Sequence, residues 1–291
     1  MKLPLIVSDI QAGPVSVSCI MPTANRRRFV EIALELFRHQ DHPDRELIVV
    51  DDGDDSVEDL CRGELSVRYL RSARRMSIGA KRNLACEHAR GDVIVHWDDD
   101  DWYGRDRLAR QVQPIATGRA DVTGLESRYT LCLADRSFWT TTRELHARMF
   151  VGDVHGGTLA YRRDYFDAGL RYPQINLAED AVYLKRMLRS GARLERVDAE
   201  RCFVYMRHTH TAWRFVPGAF LDPSGWYRTQ RPPGMPEALI ARYIAAAAQV
   251  RPRSRGLLTW LLGAVHFGWT EFVKHVRTRG WRLPIGTRSS E

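Results

Sequence analysis

The sequence predicts an α/β fold built on a mainly parallel sheet, and three observations carry that prediction. Over the first 115 residues, short β-branched apolar runs alternate with stretches of helical period, in the order strand, helix, strand, strand, helix, strand, helix. Three of these strands stop abruptly in polar or acidic loops, "PTAN", "DDGDD" and "DDDD". Such loops gather at the carboxyl edge of a parallel sheet, which is where these sheets bind ligands.

Each element follows from local pattern. Val15–Met21 is apolar and β-branched up to Pro22, which suits a buried strand. Arg26–His39 carries apolar residues at 29, 30, 33, 34, 36 and 37, a helical stripe. Glu46–Asp52 is a second strand ending in acid, and Val67–Leu70 a shorter third. Ser77–Ala89 reads as a helix that Gly91 is placed to end. Asp92–Trp97 is a fourth strand and Arg105–Ile115 another helix. Further on, Val122–Gly124, Tyr129–Leu133 and Leu159–Tyr161 read as strands, and 176–193 as an acid-started helix closed at Gly191. "RLERVD" and "CFVYMRH" follow as strands, then a Pro- and Gly-rich boundary over 216–236. From Gly256 to Trp281 the apolar positions again fall on one helical face. The expected organisation is a tail over 1–14, a main domain over 15–215, and a connection with a helical extension over 216–291.

Composition narrows the class. The net charge of +8 is uneven: residues 251–291 hold eight Lys or Arg against two acids, which leaves only +2 for the other 250. The basic character therefore belongs to the tail, and no nucleic-acid module is visible. Packing of that tail on the domain is favoured over an interfacial helix resting on an anionic membrane. Five widely spaced cysteines without a C-x-x-C pair argue against a disulfide framework or zinc ribbon and fit a reducing cytosol. No stretch supplies the roughly 18 uninterrupted apolar residues of a spanning helix, and the first 14 residues do not read as a signal peptide. A cytoplasmic location follows, with peripheral contact at the inner membrane face as the tail's alternative use.

The stretch "VIVHWDDDDWYGRDRL" poses the chemical question. Four adjacent carboxylates repel one another and form neither strand nor helix well. A bound divalent cation is the simplest offset, because Mg²⁺ or Mn²⁺ accepts one or two carboxylates together with phosphate oxygens. The bland alternative, a solvated acidic loop, loses weight beside two other acid- or polar-ended strands aimed at the same crevice.

In order and spacing, "VSVSCIMPTANR", "ELIVVDDGDD", "SIGAKRNLACEHARGDVIVHWDDDDWY", "AEDAVYLKRMLRSG" and "VYMRHTHTAW" resemble family-2 glycosyltransferases of the GT-A fold, across about 15–213. The resemblance implies a nucleotide-diphosphate sugar donor, UDP-sugar first, together with Mn²⁺ or Mg²⁺. It also implies one catalytic base and inversion at the anomeric carbon. Carried over by position, Pro22, Thr23 and Asn25 match the loop beside the nucleotide base, and Asp52 the residue that contacts the base ring. Arg82, with Lys81 beside it, matches a basic position near the diphosphate. Asp98, Asp99 and Asp100 match the D-x-D signature, with Asp99 nearest the ribose and Asp100 the direct metal ligand. Asp180 matches the catalytic base, and His208 a late histidine that contacts metal or diphosphate. The chain departs from the pattern at Ala24, where an aromatic residue is common, and at "DDGDD", where D-D-G-S is commoner.

Glu179, His155 and Trp102 are expected on the acceptor side, His155 because the glycines after it let a substrate approach the backbone. The acceptor class is a glycan, a lipid-linked molecule or a small molecule. Two rival enzymes share the acids: a two-metal nuclease or nucleotidyltransferase, and a glycosidase with paired carboxylates. A non-catalytic nucleotide-sugar-binding protein is the third alternative.

Overall fold

The computed structural model describes residues 15–126 and 128–250. The tail over 1–14 and the basic, aromatic helix expected over 256–281 lie outside the described residues.

The described chain runs β1 (Val17–Thr23), α1 (Arg27–Arg38), β2 (Arg45–Asp51), α2 (Glu58–Cys61), β3 (Val67–Arg71), α3 (Ile78–His88), β4 (Val93–His96), β5 (Trp102–Tyr103) and α4 (Arg107–Ala116). It continues with β6 (Val122–Glu126), β7 (Thr130–Cys132), β8 (Ser137–Thr141), α5 (Arg143–Met149), β9 (Ala160–Arg162), α6 (Asp164–Asp167) and α7 (Glu179–Arg189). Last come β10 (Leu194–Asp198), β11 (Phe203–Arg207), β12 (Trp226–Thr229) and α8 (Glu237–Gln249).

Seven strands form the main sheet in the order β10-β6-β9-β4-β1-β2-β3. β1, β2, β3 and β4 are parallel to their neighbours in this set, as are β6 and β10, while β9 runs antiparallel between β4 and β6. The expected mainly parallel α/β sheet is therefore present. Alternation along each strand divides the core. Cys19, Met21, Leu47, Val49, Val93 and Val95 pack under α1 and α4, whereas Ile20, Ile48, Val50 and Ile94 pack under α3 and α7. α1 buries Phe29, Val30, Ile32, Ala33, Leu34 and Phe37. Ser77 starts α3 by accepting a hydrogen bond from the Ala80 amide, at 3.2 Å.

A smaller sheet, β12-β8-β7-β11-β5, stands beside the first. Its core joins Leu131, Phe138, Val204 and Met206 to Phe29 and Ile32 of α1 and to Leu239 and Tyr243 of α8. Two elements beyond residue 215 thus contribute to this layer, β12 through β8 and α8 through α1. The β7–β8 hairpin is not apparent in the sequence because its left-handed turn position is held by Arg136, φ 57°, and not by glycine. All five cysteines are free thiols. Among the described residues, no helix is long and apolar enough to cross a membrane.

Candidate functional site

The tips of β1, β2 and β4 converge as the parallel topology requires, and their side chains interlock. Thr23 at the end of β1 donates from Oγ1 to Asp99 Oδ2 at 2.6 Å. Asn25, in the left-handed region at φ 57°, accepts at Oδ1 from the amides of Asp54 and Asp55, at 2.5 and 3.2 Å. Gly53 has to be small there, since a Cβ would stand 2.4 Å from the Asn25 amide nitrogen. Pro22 precedes this knot on β1, paired with Val50. Asp54 also pairs with Arg75, and Asp55 with Arg27, so the extra acids of "DDGDD" bind the loop to its surroundings.

Asp52 and Lys81 form a buried strut. Lys81 Nζ donates to Asp52 Oδ1 and to the Thr23 carbonyl, each at 2.8 Å, and Asp52 Oδ2 accepts from the Met76 amide at 2.7 Å. Lys81 therefore ties the β1 and β2 loops together from beneath the crevice.

The four consecutive aspartates have four different environments. Asp98 pairs with Arg82, whose terminal nitrogen is 2.8 Å from Oδ1. Asp99 and Asp100 share the Arg26 guanidinium, at 2.7 and 2.8 Å. Asp101 turns into the protein, where Oδ1 accepts from the Met206 amide at 2.9 Å. Burial, then the charges of Asp100 and Asp98, push its carboxyl well above the usual range. The mutual repulsion is thus offset within the chain by two arginines, Arg82 and Arg26.

Asp100 is the pivot. Burial pushes its carboxyl up, but Arg26 and His208 together hold it below the ordinary carboxylate range. His208 Nε2 lies 3.0 Å from Asp100 Oδ2, with its ring stacked on Phe29 at 4.8 Å. Nδ1 of the same ring accepts from the His210 amide at 3.3 Å, which leaves the hydrogen on Nε2, directed at Asp100.

Asp180 enters from α7. Ala178, immediately before the helix, is left-handed at φ 62°, a strained position for a residue with a Cβ and one that directs Glu179 and Asp180 toward the crevice. Arg82 spans the gap: Nε is 3.2 Å from Glu179 Oε1 while its other arm holds Asp98. The glycine pair after His155 fits between the two acids. A Cβ on Gly156 would fall 2.1 Å from Asp180 Oδ2, and one on Gly157 2.5 Å from Asp98 Oδ2. Backbone alone fits in that position. His96 at the end of β4 fixes the turn, with Nδ1 2.9 Å from the Gly156 carbonyl and Nε2 2.7 Å from the Tyr172 hydroxyl. Burial raises the Asp180 carboxyl, against the pull of Arg82.

Two expected acceptor-side residues lie elsewhere. Trp102 is 2 % exposed and packs in the core of the smaller sheet, so it has no face to offer a sugar. The His155 ring is enclosed by Tyr205, Phe150 and Phe203 at 4.3, 4.9 and 5.1 Å, and burial pushes it down to about 3, hence neutral. The glycines that follow it do face Asp180. Glu179 stands beside Asp180 but is engaged by Arg82.

Arg26 and His96 are residues of the candidate site that sequence reasoning missed, whereas the glycines after His155 were expected to admit a substrate. A signal for Arg26 exists. "RRR" over 26–28 sets three cations at the start of a helix, where the dipole disfavours them unless acids compensate. The structure supplies those acids: Asp99 and Asp100 for Arg26, Asp55 and Asp59 for Arg27, and Glu31 for Arg28.

The donor set is compatible with a divalent metal. Among the described residues, no three His, Cys, Asp or Glu side chains gather as ready-made ligands. Magnesium-type sites need only one or two protein donors when phosphates complete the shell. Asp100 Oδ2 and His208 Nε2 are joined by a hydrogen bond at 3.0 Å, and the pair would serve a cation together once the histidine's hydrogen moves to Nδ1.

A mostly parallel sheet flanked by α-helices is consistent with the GT-A fold. The Staphylococcus aureus protein TarS, residues 1–349, solved with UDP-GlcNAc, superposes with a TM-score of 0.56 at 20 % identity, over 69 % of this chain and 62 % of that one. A mannosyltransferase from Pyrobaculum calidifontis, solved with GDP-Man and Mn²⁺, gives 0.53 at 21 %, over 64 % and 57 %. The family model described as glycosyl transferase family 2 matches residues 18–207, and the chain belongs to that family. A curated relative is the GalNAc(5)-diNAcBac-PP-undecaprenol beta-1,3-glucosyltransferase of Campylobacter jejuni, 31 % identical over 114 residues, or 37 % of each chain. The chain spans 17 %, 40 % and 48 % of the length of three other curated glycosyltransferases.

Proposed function

We propose that this protein transfers a sugar from a nucleotide-diphosphate donor, UDP-sugar first, to an acceptor hydroxyl, with inversion at the anomeric carbon. One observation supports this reading most. Arg82 joins the aspartate cluster that would face a diphosphate to the α7 carboxylates that would face an acceptor, at 2.8 and 3.2 Å.

In the proposed reaction Asp180 accepts the acceptor's hydroxyl proton as that oxygen bonds to the anomeric carbon. The bond from that carbon to the diphosphate oxygen breaks, and the electron pair leaves with the nucleoside diphosphate. Only one carboxylate acts as base, because Glu179 is held by Arg82 and Asp98 faces the donor side. A base must lie within about 2.6–3.2 Å of the proton it takes, and the Gly156 backbone packs directly against the Asp180 carboxylate, holding it in place. The loop of Thr23 and Asn25, braced from beneath by Asp52, would hold the nucleoside. Asp100 and His208 would hold Mn²⁺ or Mg²⁺, which stabilises charge on the departing diphosphate when bound. The acceptor, whether glycan, lipid-linked or small, would approach from the Gly156 side.

The test is Asp180→Asn. Sugar transfer should fall by about a thousandfold or more, with UDP-sugar affinity retained. Transfer at near wild-type rate would refute Asp180 as the base. Release of nucleoside monophosphate instead of diphosphate would favour a nucleotidyltransferase.

A further inference from the structure

The aspartate cluster already contains an organic cation. A single Arg26 nitrogen lies 2.7 Å from Asp99 Oδ1 and 2.8 Å from Asp100 Oδ2, and the other terminal nitrogen is 2.7 Å from the His210 carbonyl. The side chain is 19 % exposed, at the open edge of the crevice and not locked in the core. Its contact on Asp100 is the same oxygen, Oδ2, that faces His208 Nε2. A divalent ion seated on Asp100 and His208 would therefore meet the guanidinium on a shared ligand atom. Two cations at that separation repel strongly even with partial solvent screening.

We infer that Arg26 is a resident counter-cation that must be displaced from Asp100 before a divalent metal can seat there. This inference rests on the transferase reading for its biological meaning. Arg26 pairs with Asp99 and Asp100 and fastens the segment after β11 through the His210 carbonyl. On loading, the guanidinium moves off Asp100. Its planar fork is then free at the mouth of the crevice, where a diphosphate would arrive, and that fork suits phosphate oxygens. Metal and nucleotide would consequently bind well only together, since metal alone has to eject a cation that nothing else then receives. With its side chain 19 % exposed, Arg26 has room for that movement. Arg82, buried at 2 % and held from both sides, has no such freedom.

The experiment measures Mn²⁺ binding to the full chain without nucleotide, by electron paramagnetic resonance or calorimetry, for wild type and Arg26→Gln. The expected result is Mn²⁺ affinity on the order of tenfold tighter in Arg26→Gln, with a larger Mn²⁺-induced rise in melting temperature. A purely structural role predicts the opposite sign, because loosening the loop weakens its metal site. Unchanged or weaker Mn²⁺ affinity overturns the inference. Should Arg26→Gln fail to fold, Arg26→Lys is read in its place. It keeps the charge but cannot bridge three acceptors, so a smaller gain in Mn²⁺ affinity supports displacement and no gain overturns it. A separate arm titrates UDP. If wild type binds UDP equally in EDTA while Arg26→Gln does not bind it, Arg26 is itself the diphosphate's cation and displacement is overturned. Because Mn²⁺ alone is the primary probe, its result stands even if no nucleotide sugar proves to be the donor.

Discussion

Glu179→Gln should stabilise this protein, and by an amount that grows with pH. Glu179 is 5 % exposed, adjacent to Asp180 and in contact with Arg82. Burial first, and the neighbouring Asp180 second, push its carboxyl from an ordinary 4.5 up to about 7, with Arg82 pulling the other way. An acid whose pKa is raised in the fold binds its proton more tightly there than in the unfolded chain. Its ionisation therefore costs nothing well below pH 4.5, costs increasingly between 4.5 and 7, and costs its full amount above that. At about 1.4 kcal/mol per pH unit, the full cost is about 3 kcal/mol. Glutamine keeps an oxygen for Arg82 Nε and never ionises. The advantage of Glu179→Gln over wild type should then increase by about 2 kcal/mol between pH 5.5 and pH 8, or roughly 4–8 °C in melting temperature for a domain of this size. Thermal melts of both proteins at the two pH values provide the assay. A melting difference that is the same at both, or a variant less stable at pH 8, would refute the assignment of a raised, destabilising carboxyl beside Asp180.

Further predictions address the geometry around that carboxyl. Gly156→Ala should fold with a nearly unchanged melting temperature yet lose at least about tenfold in kcat. Its methyl would meet Asp180 Oδ2 at 2.1 Å and push the proposed base aside; full activity would show that Asp180 does not work in the position seen here. Arg82→Met removes the cation that lowers the Asp180 carboxyl, so the acid limb of the kcat/KM pH profile should move to higher pH, and a limb that stays in place would contradict the coupling. Ser77→Ala deletes the cap of α3 and should cost about 1 kcal/mol in urea unfolding with kcat unaffected.

Much of the fold was legible because its signals were local. β-branched runs at 15–21, 46–52 and 92–97 ended in polar or acidic loops, and the strands fall within one or two residues of those limits. The carboxyl-edge rule then placed Thr23, Asp52 and Asp98–Asp100 in one crevice before any side chain was known. The remainder required long-range information. Arg26 meets Asp99 across 73 residues and the His210 carbonyl across 184, and no window of sequence reveals that pairing. His155 was misplaced because a histidine beside two glycines looks like a substrate contact, whereas its ring fills an aromatic nest and only the glycines face the crevice. Trp102 was ambiguous for the same reason, since an aromatic residue next to acids suits a core as well as a sugar face. The four aspartates drew attention to one loop, but their side chains separate into three that pair with Arg82 or Arg26 and one, Asp101, that braces β11 from within.

UDP calorimetry tests most directly whether the aspartate-lined crevice takes a nucleoside diphosphate through a divalent cation. Wild-type protein should bind UDP with Mn²⁺ present and lose most of that affinity in EDTA, and Asp100→Ala should abolish the difference. UDP and GDP that fail to bind with or without Mn²⁺, or an Asp100→Ala protein that binds as wild type does in both conditions, would contradict it.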